Sequence, residues 1–485
     1  MSRRIPSNAR LELTSEEMRS LGYKAIDLLV SHFESIPDQK PVALATRRQM
    51  DELLGEGIPE TGSHVDDVLE HVMANVFPNC DLLTHPKFFS FCPSPSNFVS
   101  TIADLLATGF NVFAGGWVAS PAGAEIEIVT INWLLELFGL PLKAGGGLYT
   151  SGGSMANLTA LAVARKIQLG ETRDAATLYL SDQAHSSNHR AAKILGFHED
   201  QIRLVASDDR FRMNFAELQA MVESDRSAGK RPFCVIATSG TTNTGAVDPL
   251  PSIADLCEAE NLWLHVDGAY GGAAILTDQG RRALDGIERA HSITVDPHKW
   301  LFQPYEIGCI LVRRHEWLKD TFSEHPEYLR DTHGSAEEIN FYDHGVQLTR
   351  RFRALKLYMS IKTFGLAAFR EAVKTGIETA EATQAYLEPR PNWEIVSPAT
   401  LAVINFRYRP ADEPLTEAQL DRLNQHLSRR IIESGEAMLT TTVLRGKVVL
   451  RMCLINPRIS LKDHVIKTIE MLELYAEEAA RETSR

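Results

Sequence analysis

Apolar residues recur along the chain at two spacings, and the change between them divides it. At the front, Thr14-Ser-Glu-Glu17 has capping-box spacing, and Met18, Leu21, Ala25, Leu28 and Leu29 follow at helical intervals until Pro37, which predicts an amphipathic helix. Nothing close in sequence matches that apolar stripe, so its partner is either a second subunit or a distant part of the same chain. Residues 125–138 repeat the helical spacing, with Ile128, Ile131, Leu134, Leu135 and Phe138 on one face. From Gly147 to Val312 short, β-rich apolar runs take over, at 177–180, 202–206, 233–237, 262–266, 293–295 and 307–312. Helical patterns such as 214–222 and 251–260 lie between several of them. That alternation predicts βαβ units, hence an α/β fold with a mostly parallel central sheet covered on both faces and functional groups at the carboxyl ends of its strands.

Residues 322–343 break the pattern: charged, with little periodicity, they read as a long loop, either a lid or disordered. A helix resumes at 350–364. Past the prolines at 389 and 391, strand-like 401–407, helical 417–432, strand-like 448–454 and helical 463–480 predict a small C-terminal α+β domain. At 485 residues the chain exceeds what one core supports. The boundaries expected are 1–85 for an N-terminal helical segment, 86–385 for the large domain and 386–485 for the small one.

Charge narrows the partners. The 63 acidic against 50 basic residues give a net charge of -13, which repels phosphate backbones and anionic lipid, so neither nucleic acid nor membrane is expected as a partner. The six cysteines are scattered without a C-x-x-C pair or metal-ligand spacing and read as reduced core thiols of a cytoplasmic protein that holds no metal. No apolar stretch is long enough to span a bilayer, and no apolar h-region follows the arginines of residues 1–10, so a soluble, unexported protein is expected.

The chemistry collects around Ser292-Ile-Thr-Val-Asp-Pro-His-Lys-Trp300. Pro297, lacking an amide donor, stops the strand and presents Lys299 just past its end. There a partly desolvated ammonium should lose its charge readily and form an imine with an aldehyde; a solvated surface lysine is the competing reading. Thr150-Ser-Gly-Gly-Ser-Met-Ala-Asn157 runs into a helix whose free amides suit one phosphate dianion. It has neither the P-loop nor the dinucleotide pattern, and a plain tight turn also explains it. Asp267 ends a strand, where an unpaired acid is costly; it should meet a cation or a protonated ring nitrogen, unless it caps a helix or holds a metal. His185 follows another strand, catalytic or structural, and Thr238-Ser-Gly-Thr-Thr-Asn243 offers hydroxyls to the same rim. A phosphate cradle, an acid, a flat imidazole and an imine-forming lysine together fit pyridoxal phosphate.

The chain resembles the group II pyridoxal-phosphate-dependent amino-acid decarboxylases, and within them the aromatic-L-amino-acid decarboxylases. The resemblance runs over most of the sequence and rests on His85-Pro-Lys-Phe-Phe, Trp117-Val-Ala-Ser-Pro-Ala122, Ser181-Asp-Gln-Ala-His-Ser-Ser187, Gly240-Thr-Thr242, His265-Val-Asp-Gly-Ala-Tyr270, Pro297-His-Lys-Trp300 and Arg350-Arg-Phe-Arg-Ala-Leu-Lys356. It implies a PLP-dependent transferase fold of the aspartate-aminotransferase type (fold type I), in a homodimer with the active site at the interface and the N-terminal helices on the partner subunit. It also implies that Lys299 carries the cofactor, that Asp267 partners the ring nitrogen and that His185 stacks on the ring. Gly153, Ser154 and His298 would hold the phosphate, and Thr242 would lie near the phenolic oxygen. Tyr328 would return a proton to the substrate carbon, and Phe91, Pro93, Phe113 and Thr349 would form the substrate pocket.

The implied reaction is decarboxylation of an aromatic L-amino acid, tryptophan or a ring-substituted relative first, then phenylalanine, tyrosine or dihydroxyphenylalanine. Leu83, Cys92 and Gly115 stand where some animal relatives carry larger aromatics, which implies a roomier pocket. Asp296 replaces an Asn of those enzymes near the phosphate and would need a compensating donor. Tyr328 and His185 argue against an oxygen-consuming aldehyde synthase on the same scaffold. Phe88, Phe89, Phe91 and Phe113 argue against an aliphatic or acidic substrate, and a non-catalytic metabolite-binding protein would require Lys299 to be incidental.

Overall fold

In a computed structural model, which describes residues 11–93, 95–324, 338–412 and 414–483, the apolar runs form one seven-stranded sheet. Its strands are β1 (Gly146–Thr150), β2 (Ala176–Ser181), β3 (Ile202–Val205), β4 (Arg231–Thr238), β5 (Trp263–Asp267), β6 (Ser292–Val295) and β7 (Gly308–Val312), in the order β1-β7-β6-β5-β4-β2-β3. Strands β3, β2, β4, β5 and β6 pair in parallel, and β7 alone runs against its neighbours β6 and β1. Alternate residues of β4 serve opposite faces: Val235 and Ala237 join a core with Ile131, Phe138 and Ile293, whereas Cys234 and Ile236 join one with Ala160, Ala164 and Ile310. That two-sided burial is why the strands read as continuous apolar runs rather than alternating ones.

The glycine-rich stretch before residue 150 carries no strand signal, yet it forms β1. Its place comes from pairing with β7, Leu148 opposite Ile310, and Gly147 is required there because a Cβ would lie 2.2 Å from the Ile310 carbonyl oxygen. The helix expected to end near 364 continues as Ala354–Leu387 through a kink at Gly365, whose φ of 73° a side chain would resist. A second, antiparallel sheet follows, of β8 (Trp393–Thr400), β9 (Val403–Tyr408), β10 (Thr441–Leu444) and β11 (Lys447–Cys453), in the order β10-β11-β9-β8. The helices Glu417–Glu433 and Lys467–Thr483 accompany it.

The N-terminal helix Ser15–Ser35 begins at the expected capping box, with the Glu17 amide donating to Thr14 Oγ1 and the Thr14 amide to Glu17 Oε2. None of its residues is buried, and Met18 and Tyr23 are 54% and 69% exposed. The proline-broken aromatic segment is irregular and is bonded to the second sheet. The Phe89 amide donates to the Met438 carbonyl, and the Cys453 amide donates to that of Phe89, each at 2.9 Å. Phe88 and Phe89 are consequently buried and unavailable to a ligand, which corrects their reading as substrate-facing rings.

Tyr328 and the rest of 325–337 lie outside the described residues. Among the described residues no helix is long and apolar enough to cross a membrane. Of the six cysteines, four are buried; Cys80 is exposed and Cys92 partly so, which departs from the reading of all six as core thiols.

Candidate active site

Five strand ends converge on one cavity of about 300 Å³. The turn after β1 brings Gly153 and Ser154, β2 is followed by His185, β4 by Thr242, β5 ends in Asp267, and β6 leads into Asp296, His298 and Lys299. This is the rim at which open α/β sheets hold ligands, because loops there diverge while the sheet fixes their roots. All eight of these residues line the same space.

Lys299 Nζ lies 3.1 Å from Asp296 Oδ2, and that carboxylate is almost wholly buried. Burial opposes the lysine's charge, but Asp296, Cys92 and Asp267 together push its pKa above the ordinary lysine value. The expectation of a lysine that sheds its proton through desolvation is therefore wrong for this chain by itself, because nearby acids outweigh the loss of solvent. Asp296 also faces His298 Nε2 at 3.7 Å, so the anion that replaces the relatives' Asn has two basic neighbours.

Asp267 is held by three hydrogen bonds. Its Oδ2 accepts from Asn157 Nδ2 at 2.9 Å and Asn188 Nδ2 at 2.7 Å, and its Oδ1 accepts from the Ala269 amide at 3.2 Å. Burial works against its charge, yet the His265 ring, the Asn188 amide and Lys299 hold the carboxyl below its usual value. Behind it the hydrogen-bond directions are forced. Asn157 spends its amide protons on Asp267 and on Ser187 Oγ, so its carbonyl must accept from His265 Nε2 at 3.1 Å. His265 Nδ1 then accepts from Ser292 Oγ at 2.9 Å, and that oxygen accepts from Trp263 Nε1. Ser187 in turn donates to His185 Nδ1 at 2.8 Å, which joins the imidazole to the same network.

Asn157, Asn188, His265 and Ser187 carried no assigned role in the sequence reading. The sequence holds a signal for two of them. Asn157 lies one helical turn after Gly153, and His265 shares the β5 face of Asp267 because strand side chains alternate.

The buried His265 ring titrates only at about 4, chiefly because burial disfavours its charged form. Buried His85 and His344 are displaced the same way, to about 4 and about 3. Unfolded rings near 6.5 take up protons that these folded ones refuse, so stability should fall as pH drops from about 6.5 toward 4, by about 1–2 kcal/mol per ring at pH 5. A thermal midpoint that stays constant between pH 7 and pH 5 would contradict this.

Pyridoxal phosphate fits the residues present. A Cβ at position 153 would lie 2.7 Å from Asp296 Oδ2 and 3.1 Å from Ala269 Cβ, so glycine alone lets the start of the helix Gly153–Leu169 come this close. The first amides of that helix have no intrahelical partner. Thr238 Oγ1 and Asp296 Oδ1, both at the cavity wall, are buried without a hydrogen-bond partner among the described residues. Among those residues no group of three or more His, Cys, Asp or Glu could hold a metal.

The expected substrate residues are placed differently. Phe91, Pro93, Phe113 and Thr349 do not line this cavity within one chain. Phe91 is 60% exposed with φ 56°, Thr349 is exposed, Phe113 is half-buried and Pro93 is buried. Phe113 lies across Gly115, where a Cβ would meet its ring at 2.4 Å, and the Ala114 amide donates to the Arg350 carbonyl at 3.1 Å. Arg350 anchors that pair of segments through a buried ion pair with Glu127.

The model of the pyridoxal-dependent decarboxylase conserved domain matches residues 48–409. An aromatic-L-amino-acid decarboxylase of Bacillus atrophaeus is 46% identical over 472 residues, 97% of this chain and 98% of that protein. A phenylacetaldehyde synthase of Arabidopsis thaliana is 29% identical over 95% of this chain and 96% of its own. Among solved structures, Oryza sativa TDC with PLP and tryptamine superposes with a TM-score of 0.92 at 29% identity, covering 97% of this chain and 99% of that one.

Proposed function

The chain belongs to the pyridoxal-dependent decarboxylase family, and from that premise we propose that it removes the carboxyl group of aromatic L-amino acids, tryptophan or a ring-substituted tryptophan first. It is a carboxy-lyase that uses pyridoxal phosphate. The observation that carries the assignment of the site is the meeting of Lys299 and a charged Asp267 in one cavity.

The bound cofactor supplies an aldehyde and a pyridine ring that draws electrons from the bond to the departing carboxylate. In our reading Lys299 holds the aldehyde, Asp267 the ring nitrogen, and Gly153, Ser154 and His298 the phosphate. Asp267 holds a proton on that nitrogen because its carboxylate is charged and fixed by three donors. His185, oriented by its bond to Ser187, would stack on the cofactor's ring, and Thr242 lines the same cavity. Tyr328, assigned by resemblance alone, delivers a proton to the substrate's Cα.

The aromatic preference is supported by the Bacillus relative, and indole before phenyl by the likeness to Oryza sativa TDC with PLP and tryptamine. A homodimer with the site at its interface is supported by the N-terminal helices Ser15–Ser35, Arg47–Leu54 and Val65–Asn75. They bury no residue and leave Met18, Tyr23, Val30, Leu53 and Val68 exposed. A partner could then complete the pocket that Phe91 and Thr349 leave open.

The test is carbon dioxide release from each of the twenty amino acids with cofactor added. Tryptophan is expected to lead, and release from glutamate or aspartate alone would refute the aromatic assignment. Tyr328→Phe should convert the amine product to aldehyde, ammonia and peroxide; unchanged amine output from this variant removes Tyr328 from its role. The aldehyde-synthase relative makes that substitution the direct way to separate the two chemistries.

A further inference from the structure

Arg451, on β11, is only 4% exposed and has no carboxylate within ion-pair distance among the described residues. Its Nε donates to the Thr242 carbonyl at 2.8 Å and its Nη1 to the Phe91 carbonyl at 2.6 Å. The remaining arm, Nη2, is 4.0 Å from Cys92 Sγ. A buried guanidinium bonded only to neutral carbonyls lacks a counter-charge, and leaving it so is costly. The group placed to supply that charge is the Cys92 sulfur.

A second thiol stands against the first. Cys453, two residues after Arg451, shares its face of β11, and its amide is bonded to the Phe89 carbonyl three residues before Cys92, which sets it on the side of the strand where Arg451 meets Cys92. Cys92 is partly exposed; Cys453 is buried. The two are driven in opposite directions. The Cys453 thiol and Arg451 bring Cys92 below the ordinary thiol value, whereas burial holds Cys453 well above it. An accessible thiolate beside a cation, next to a protonated thiol, is the arrangement in which one sulfur attacks and the other resolves.

We propose that Cys92 is a modification site that takes hydrogen peroxide or a soft electrophile, with Cys453 as the thiol that closes a disulfide on it. Attack of Cys92 Sγ on peroxide breaks the O–O bond, leaves the sulfur as a sulfenic acid and releases hydroxide. The Cys453 thiol then attacks that sulfur, and its proton leaves with the sulfenic oxygen as water. The two sulfurs give up two electrons, which the externally supplied peroxide takes.

The holoenzyme exposed to hydrogen peroxide, then alkylated and digested without reductant, is expected to yield a peptide linking Cys92 to Cys453 that dithiothreitol separates. In a second measurement, iodoacetamide is applied to the untreated holoenzyme at pH 6, with the exposed Cys80 as internal comparison. The Arg451 guanidinium beside Cys92 favours its thiolate, so after allowing for the weaker nucleophilicity of a more acidic sulfur, Cys92 should label severalfold faster. In Cys453→Ser the oxidised Cys92 should persist as a sulfenic acid that dimedone captures. The proposal is overturned if peroxide yields no linked peptide, or if Cys80 labels as fast as Cys92. Both readings use the unaltered protein and stand if the serine variant does not fold.

Discussion

Lys299→Ala is expected to abolish decarboxylation, by roughly four orders of magnitude or more, since the loss removes the group that carries the reaction rather than one that tunes it. Lys299 is the one lysine lining the cavity among the described residues. Lys356, also buried, is committed to Asp104 and to the carbonyls of Pro304 and Glu306, so it has no freedom to substitute. The wild-type protein reconstituted with cofactor should show a visible absorbance that borohydride fixes as a covalent mass on residue 299. The alanine variant should keep some cofactor through the phosphate cradle and show no such mass. Turnover in Lys299→Ala above a hundredth of wild type would sink the assignment, as would a borohydride-fixed mass on another residue.

Asp267→Asn should keep the covalent mass on Lys299 and lose about 10²–10³-fold in kcat, because it withdraws a fixed charge from where charge develops in the reaction. The substitution is harsher than its size suggests. Three donors, from Asn157, Asn188 and Ala269, converge on the two carboxylate oxygens, and an amide presents a donor of its own to at least one of them. Asp267→Glu keeps the charge one methylene further out and should fall between the two. A kcat for Asp267→Asn within threefold of wild type would mean that the ring nitrogen is held by something else.

How much of this was legible in the sequence differs by kind. Strands buried on both faces were readable because burial on both sides makes apolar runs continuous, and β2 through β7 fall where those runs lie. Strand β1 was not, since its Gly147 is there to let β7 come close, a tertiary requirement with no local signature, and on β7 itself Gly308 makes room for the cradle turn. A Cβ on Gly308 would lie 2.4 Å from Gly152 Cα. In the site, residues set at strand ends were legible because the chain there changes abruptly from apolar to polar and glycine-rich. The supporting Asn188 and Ser187 were not, because helical polar residues look alike until the fold says which of them face the sheet. The Lys299 charge was misjudged for a related reason: desolvation can be guessed from a sequence, but the approach of Asp296 to 3.1 Å cannot.

The stitching of the aromatic segment to the second sheet has a consequence for how the protein is made. Arg451 reaches the Phe91 carbonyl across 360 residues of chain, and Cys453 and Met438 close on Phe89 over comparable spans. A nascent polypeptide therefore emerges from the ribosome with these positions unmatched, and they stay so until translation has passed β11. Domains generally fold as they appear, N-terminal first, so competence to react should arrive late and abruptly, near termination, and a transcript cut short before that strand should yield an inert product even though every cofactor-holding residue has already been translated.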